Sequence, residues 1–283
     1  MYAITGITGQ VGSRLADRLL AADLPVRAVL RDPAKAEAWA ARGCEVALAE
    51  IGDAGALAQA FAGCEAAFVL LPPTFDPSPD FDESRRAIAA LRAALERARP
   101  GRVVVLSTIG AQATQHNLLT QLGEMEAALR TLALPVAFLR AGWFFENAQW
   151  DVAAARETGE IPSFLQPTSR AIPMVATADI AALAAELLQE RWDGARVVEL
   201  QGPAPVSPDD LAAAFARVLG RPVHAVPVPR DGWETLFTGQ GMKNPAPRMR
   251  MLDGFNEGWI RFAGTPRLGT TTAEDVVREL VAR

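Results

Sequence analysis

The chain begins with a short apolar run, Tyr2 to Thr5, that falls into Gly6-Ile7-Thr8-Gly9-Gln10-Val11-Gly12 and then into an amphipathic stretch. Three glycines at this spacing, after a strand and opening a helix, restrict the fold more than any other feature. Gly6 would allow the tight turn, Gly9 the close approach of backbone N–H groups to a pyrophosphate, and Gly12 close packing of helix on strand. The helix N-terminus would add partial positive charge. Gly9 is expected at a positive φ, where a β-branched residue would be strained. A Walker loop needs Gly-Lys-Ser/Thr, but the only lysines are Lys35 and Lys243. The phosphate expected here is therefore that of a dinucleotide.

The rest of the first half has the alternation such a loop requires. YAIT, VRAVL, EVALA, AAFVLL, RVVVLS and VAFLRA read as strands. They are almost continuously apolar, as strands covered on both faces are. Helical patterns lie between them; in one, Ile88, Leu91 and Leu95 share a face and Pro100-Gly101 ends the helix. The expected class is α/β with a parallel, doubly wound sheet. After RAGWFFENAQW, prolines, glycines and aromatics become frequent. The expected division is residues 1–147 for nucleotide binding and residues 148–283 for a smaller α/β ligand lobe over the carboxyl edge of the sheet. Segments around 170–200 are expected to return to the main sheet. Ser207-Pro208-Asp209-Asp210, and Thr271 with Glu274, read as helix caps.

Composition removes several classes of function. Half of the 283 residues are hydrophobic, yet no apolar run approaches the ~20 residues of a membrane span. No membrane partner is expected, and the absence of a basic, apolar leader fits a cytoplasmic location. A net charge of −5 with dispersed arginines argues against nucleic acid as a partner. Cys44 and Cys64 lie beside strand segments and form no disulfide framework. Two distant histidines, His116 and His224, without a cysteine cluster leave no metal site to expect. No G-x-S-x-G is present for serine hydrolase chemistry.

The end of the second strand selects the dinucleotide. NAD sites place an acid there for the ribose 2′-OH. Here the segment reads Val29-Leu30-Arg31-Asp32-Pro33-Ala34-Lys35. Arg31 can fork onto a 2′-phosphate and Lys35 follows one turn later, so NADPH is expected over NADH. Asp32 is expected to cap the helix after Pro33.

GITGQVG, VLRDPAK, GDAGALAQAFAGCEAAFVLLPP, VVVLSTIGA, LRAGWFFENA and TADIAALAAELL together resemble the NmrA-like family of atypical short-chain dehydrogenase/reductases, over most of the chain. The resemblance implies a Rossmann domain, a small C-terminal lobe, and a cleft between them for NAD(P) and a ligand. It implies that Gly6, Thr8, Gly9, Gln10, Val11 and Gly12 form the diphosphate loop and that Arg31 and Lys35 take the 2′-phosphate. Asp53 would lie near adenine, and Leu70, Leu71 and Pro72 beneath the adenosine ribose. Ser107 and Thr108 would end the fifth strand near the nicotinamide. Trp143, Phe144 and Asn147 would face the ligand.

The chain departs from ordinary short-chain dehydrogenases, which use Tyr-x-x-x-Lys as acid and orienting cation. Its only tyrosine, Tyr2, lies in the first strand, and Leu118 and Leu122 stand roughly where that pair would be, on a helix expected to begin near His116. An ordinary ketone needs a positioned proton donor, worth about 10²–10⁴-fold. A quinone or dye spreads the incoming charge over its conjugated system, so proximity, stacking and a few hydrogen bonds suffice. Ser107, His116 and Asn147 are the candidate catalytic groups. Trp143, Phe144, Phe237 and Met242 are the candidate acceptor contacts, the last two on a glycine- and methionine-rich lid, TLFTGQGMKNPAPRMRM. The expected activity is NADPH-dependent reduction of a quinone or similar conjugated acceptor. The alternative is a non-catalytic NADP(H) sensor that binds a protein partner. A homodimer is compatible with either.

Overall fold

A computed structural model describes residues 1–283. The first half runs β1 (Tyr2–Ile4), α1 (Gln10–Ala21), β2 (Val26–Leu30), α2 (Ala36–Ala40), β3 (Glu45–Leu48), α3 (Ala54–Phe61), β4 (Ala66–Leu70), α4 (Asp82–Ala98), β5 (Val103–Thr108), α5 (Thr120–Leu129) and β6 (Val136–Ala141). The second half runs β7 (Trp143–Phe144), a 3₁₀ turn (Phe145–Trp150), α6 (Val152–Glu157), β8 (Glu160–Ser163), β9 (Met174–Val175), α7 (Thr177–Gln189), β10 (Ala195–Gln201), α8 (Pro208–Leu219), β11 (His224–Pro227), α9 (Trp233–Gly239), α10 (Ala246–Glu257), β12 (Arg267–Leu268) and α11 (Ala273–Ala282).

The main sheet has eight parallel strands in the order β12-β10-β6-β5-β4-β1-β2-β3. It is the doubly wound α/β sheet that the alternation of strands and helices called for. Its apolar strands feed two cores. Val104 and Leu139 join Leu15 and Leu19 of α1 and Ile180 and Leu187 of α7 on one face. Val103, Val105 and Phe138 join Leu91 and Leu95 of α4 and Leu129 of α5 on the other. Successive strand residues point to opposite faces, so a strand buried on both sides must be apolar at every position. Each such side chain contributes roughly 1.5–3 kcal/mol of hydrophobic stabilisation.

The order of strands reverses at β1. From β1 the chain winds outward through β2 and β3, then returns to place β4 on the other side of β1. Two outward windings from one point leave a crevice at the carboxyl ends of β1 and β4, where doubly wound folds bind ligands. Thr5 closes its floor: its hydroxyl donates to the Phe68 carbonyl (3.3 Å) and accepts from the Leu70 N–H (3.2 Å).

Much of the second half packs in a third core, with Phe145, Ile161, Phe215, Trp233, Phe237 and Phe255 among its members, joined by Ile109 and Leu118 from the segment after β5. What returns to the main sheet is β10 and, later, β12; within residues 170–200, β9 instead pairs with β7 in a separate two-stranded sheet. Two local readings need correction. The helix after β5 begins at Thr120, so His116 and Leu118 precede it. The last helix is capped by Thr272 with Asp275, one residue beyond Thr271 and Glu274. The Ser207–Asp210 capping box forms with Pro208 at the first helical position. No helix is long and apolar enough to cross a membrane.

Candidate nucleotide and acceptor site

The glycine loop is shaped by sterics. Gly6 has a φ of +61°, and a Cβ there would lie 2.7 Å from Leu70 Cδ2. A Cβ on Gly12 would lie 2.3 Å from the Gly6 carbonyl oxygen. Gly9 corrects the expectation of a positive φ: it is the N-cap of α1 with φ −92° and ψ 175°, allowed to any residue. Its exposed position, with only the Gly6 oxygen at 3.2 Å, leaves room for a ligand. No side chain caps α1 and its first turn holds no acid. The first N–H groups of the helix thus keep their hydrogen-bonding capacity for an anion. Thr8 and Gln10 are exposed beside it, whereas the Val11 side chain is buried in the core, leaving only its backbone at the loop.

Arg31, at the end of β2, and Lys35 are exposed and make no ion pair. Asp32 accepts from the Ala34 N–H (3.0 Å), so it caps the turn instead of neutralising them. Asp53 caps α3 by accepting from the Gly55 and Ala56 N–H groups, both at 2.9 Å. Leu70 lies against Gly6, and Leu71 and Pro72 continue from β4 towards the surface. An uncapped helix, an open glycine and two free cations at the end of β2 fit a phosphorylated dinucleotide.

Beyond β6 the chain turns at Gly142 into Trp143, and a cavity of about 550 Å³ opens. Trp143, Phe144, Phe164 and Phe237 furnish much of its wall; Phe75 and Trp150 are exposed at its rim. Trp143 is set edge-on to Phe255 (centroids 5.3 Å apart), and Phe164 leans on both Trp233 and Phe237. The 3₁₀ turn that carries Asn147 and Trp150 is anchored by buried Glu146, whose carboxylate accepts from the Thr177 N–H (2.9 and 3.0 Å) and hydroxyl at the start of α7. Across the mouth, Asp76 accepts backbone N–H groups from Lys243 (3.0 Å) and Asn244 (2.7 Å), fastening the loop after β4 to the turn between α9 and α10.

The NAD(P)H-binding family model matches residues 6–191 of this chain. The NAD(P)H azoreductase of Xenophilus azovorans is 30% identical over 259 residues, 91% of this chain and 85% of that protein. Quinone oxidoreductase 2 of Escherichia coli is 31% identical over 226 residues, 79% of this chain and 76% of that protein. The chain belongs to the NAD(P)H-binding family. The crystal structure of the Escherichia coli quinone oxidoreductase with NADPH matches the fold with a TM-score of 0.81 and 26% identity, covering 99% of both chains. A mutant NmrA shares the fold at a TM-score of 0.69 and 19% identity, covering 99% of this chain and 90% of that one. The resemblance to NmrA-like, atypical short-chain dehydrogenase/reductases therefore stands.

Within this member of the NAD(P)H-binding family, three candidate residues lie away from the cavity. Ser107 is buried, and its hydroxyl donates to Glu126 (2.5 Å). Glu126 in turn holds Arg140 through two hydrogen bonds of 2.8 and 2.7 Å. The hydroxyl is engaged by this buried ion pair, and Ser107 does not line the cavity. His116 stacks on Phe81 (4.9 Å, 17°) on the surface and does not line the cavity. Met242 also lies outside the lining; its sulfur accepts from Arg248 Nη1 at 3.7 Å. Trp143, Phe144, Asn147 and Phe237 do line it. Thr108 is half-buried, its hydroxyl donating to the Ile109 carbonyl (3.2 Å). The sequence reading missed two lining groups, Asp151 and Arg248, the only ionisable residues of the cavity wall. Burial pushes the Asp151 carboxyl up to about 7 and lowers Arg248 from its ordinary value.

Proposed function

We propose that this protein is an NADPH-dependent oxidoreductase that reduces a quinone or similar conjugated acceptor held in the aromatic cavity. The observation that carries the reading is the cavity itself: about 550 Å³, walled by Trp143, Phe144, Phe164 and Phe237, and beginning two residues beyond β6. Its volume suits a bicyclic or tricyclic ring system. The names of the azoreductase and quinone oxidoreductase relatives support the same acceptor class.

NADPH, when bound, supplies the hydride. The protein supplies position. The free N–H groups at the start of α1 and the open surface of Gly9 receive the diphosphate. Arg31 and Lys35 receive the 2′-phosphate, which NADH lacks. Trp143 and Phe144 stack the flat acceptor, and exposed Asn147 offers its amide to an acceptor oxygen. Tyr2 is 4% exposed within β1, so no tyrosine reaches the cleft. The proton that follows reduction comes from water or from Asp151, whose carboxyl titrates near neutrality at the wall.

An NADP(H) sensor would need no such cavity, which favours the enzyme. The test is NADPH oxidation, followed by absorbance, with a panel of naphthoquinones and azo dyes. Turnover with at least one conjugated acceptor is expected, and Trp143→Ala should raise its KM several-fold while NADPH affinity is kept. No acceleration by any acceptor would leave the sensor reading in its place.

A further inference from the structure

Arg248 occupies an unusual position for a cation. It sits in the first turn of α10, which has no side-chain cap and no acidic residue in that turn. The N-terminus of a helix carries positive potential, where an acid is the usual occupant. The nearby arginines are neutralised: Arg250 pairs with Asp253 (3.3 Å) and Glu257 (3.6 Å), and Arg230 pairs with Asp253 (2.6 Å). Arg248 forms no ion pair. Its guanidinium lies 4.5 Å over the Phe237 ring, and its one hydrogen bond is the long one to the Met242 sulfur. A guanidinium has five N–H donors and stays charged at any ordinary pH. Both Arg248 and the ring beneath it line the cavity.

Nothing in the wall offsets this charge. Asp151 is the only carboxyl there, and it lies beyond ion-pairing distance of Arg248. Its burial keeps it largely protonated below pH 7. The remaining polar lining groups are neutral: Asn147, Ser163 and Gln240. A partly desolvated guanidinium beside a helix N-terminus, stacked on an aromatic ring and facing open space, is built to receive an anion.

We propose that Arg248 recognises an anionic substituent, so that the cavity takes flat conjugated carboxylates, sulfonates or phosphates in preference to neutral or cationic rings of the same size. The proposal rests on the reading of the cavity as the acceptor site. It adds a selection rule to that reading: the aromatic walls accept any flat ring, and Arg248 discriminates by charge.

The test uses two redox-inert probes that differ in charge and hardly in shape, 2-naphthalenesulfonate and 2-naphthalenesulfonamide. Each is titrated calorimetrically at pH 6.5 into the full-length protein saturated with NADP⁺. The sulfonate should bind roughly 10-fold or more tightly than the sulfonamide, as a charge-assisted contact implies. Raising the salt from about 0.05 to 0.5 M should shrink that ratio, because screening acts on the charge alone. Arg248→Met should bring the two affinities together, and Arg248→Lys should retain part of the preference, with the charge kept but the fork lost. Both variants should keep their affinity for NADP⁺. Equal affinities in the unmutated protein, or a preference that salt and both substitutions leave untouched, would overturn the proposal while leaving the cavity as an aromatic site. Failure of both probes to bind would remove the acceptor site as well, and the proposed function with it.

Discussion

The glycine loop, at the nucleotide end, and the aromatic cavity are made of different material. The nucleotide end is mostly backbone: an open turn at Gly6, a helix without a cap, and glycines whose missing side chains define the space. The cavity proposed as the acceptor end is mostly side chains, drawn from the loop after β4, β7, the 3₁₀ turn, β8, α8, α9 and α10. A backbone site recognises what all dinucleotides share, and its spacing along the chain is fixed. A side-chain site recognises one acceptor class, and its members are scattered over more than 170 residues, from Phe75 to Leu252. Substitutions should therefore separate the two ends: changes in the loop affect every nucleotide, and changes in the cavity affect only the acceptor.

The largest effect should follow Gly9→Val. The backbone at Gly9 is already extended and a Cβ there meets only the Gly6 carbonyl oxygen, at 3.2 Å, so valine asks a small adjustment of the turn, but its branched side chain occupies the space in front of α1. NADPH and NADH affinity should both fall by roughly 100-fold or more, about 2.7 kcal/mol, with the melting temperature almost unchanged. Gly12 makes the contrast sharper, because a Cβ there meets the Gly6 carbonyl at 2.3 Å and must disturb the fold itself. A Gly9→Val protein that binds NADPH normally in calorimetry would mean that the loop is not the diphosphate site.

Arg31→Ala should come next. Arg31 is exposed and unpaired, so its removal breaks no contact in the free protein. The preference for NADPH over NADH should fall by about 10- to 150-fold, the worth of a charge-assisted hydrogen bond of roughly 1.5–3 kcal/mol. NADH affinity should hardly move. Equal dissociation constants for the two cofactors before mutation would defeat this assignment.

Asp151 provides a test at the acceptor end. Its carboxyl is raised from 3.8 to about 7 by burial alone. Between those two values the folded protein holds a proton that the unfolded chain has released, so stability falls as pH rises through this window. Three pKa units correspond to about 4 kcal/mol, and partial exposure at the cavity wall reduces this to about 2 kcal/mol. Asp151→Asn should flatten the slope of denaturation free energy from pH 4 to 7. It should be the more stable protein at pH 8 and no more stable than the parent at pH 4. Urea titrations at these pH values measure it, and an unchanged slope would show that Asp151 is well solvated.

The same contrast in material explains what could be read in advance. Glycine spacing and continuous apolar strands are local signals, and they disclosed the loop, the parallel sheet and the basic end of β2. The acceptor end left weaker traces. Trp143, Phe144 and Asn147 stood out as a cluster, but Arg248 and Arg250 look alike in PAPRMR, and they part only along the helix, where Arg250 meets Asp253 three residues on and Arg248 has Met251 and Leu252 at the matching places. Asp151 occupies the position of a helix cap, yet its side chain caps nothing and lines the cavity instead. Met242 sat in the right segment but serves the cavity only through Arg248.

A local rule could have placed the Ser107 side chain. In β5, Val103, Val105 and Ser107 have the same parity, and the two valines face the α4–α5 core. Ser107 must point the same way, into α5, where it meets Glu126. Arg140 shares that face of β6 with Val136 and Phe138, which brings its guanidinium onto the same carboxylate. The expected consequence of Ser107→Ala is therefore a change in stability without a change in chemistry. Removing the hydroxyl takes one hydrogen bond from a buried, charged acceptor that keeps its bidentate arginine, a loss of about 1–2 kcal/mol. Catalytic rate should stay within about 3-fold, far short of the 10²–10⁴-fold that an acid–base group supplies. Thermal denaturation and steady-state turnover on one preparation decide the point. A variant of full stability and lost turnover would put Ser107 back at the acceptor end, and would mean that the ion pair opens when the cleft is filled.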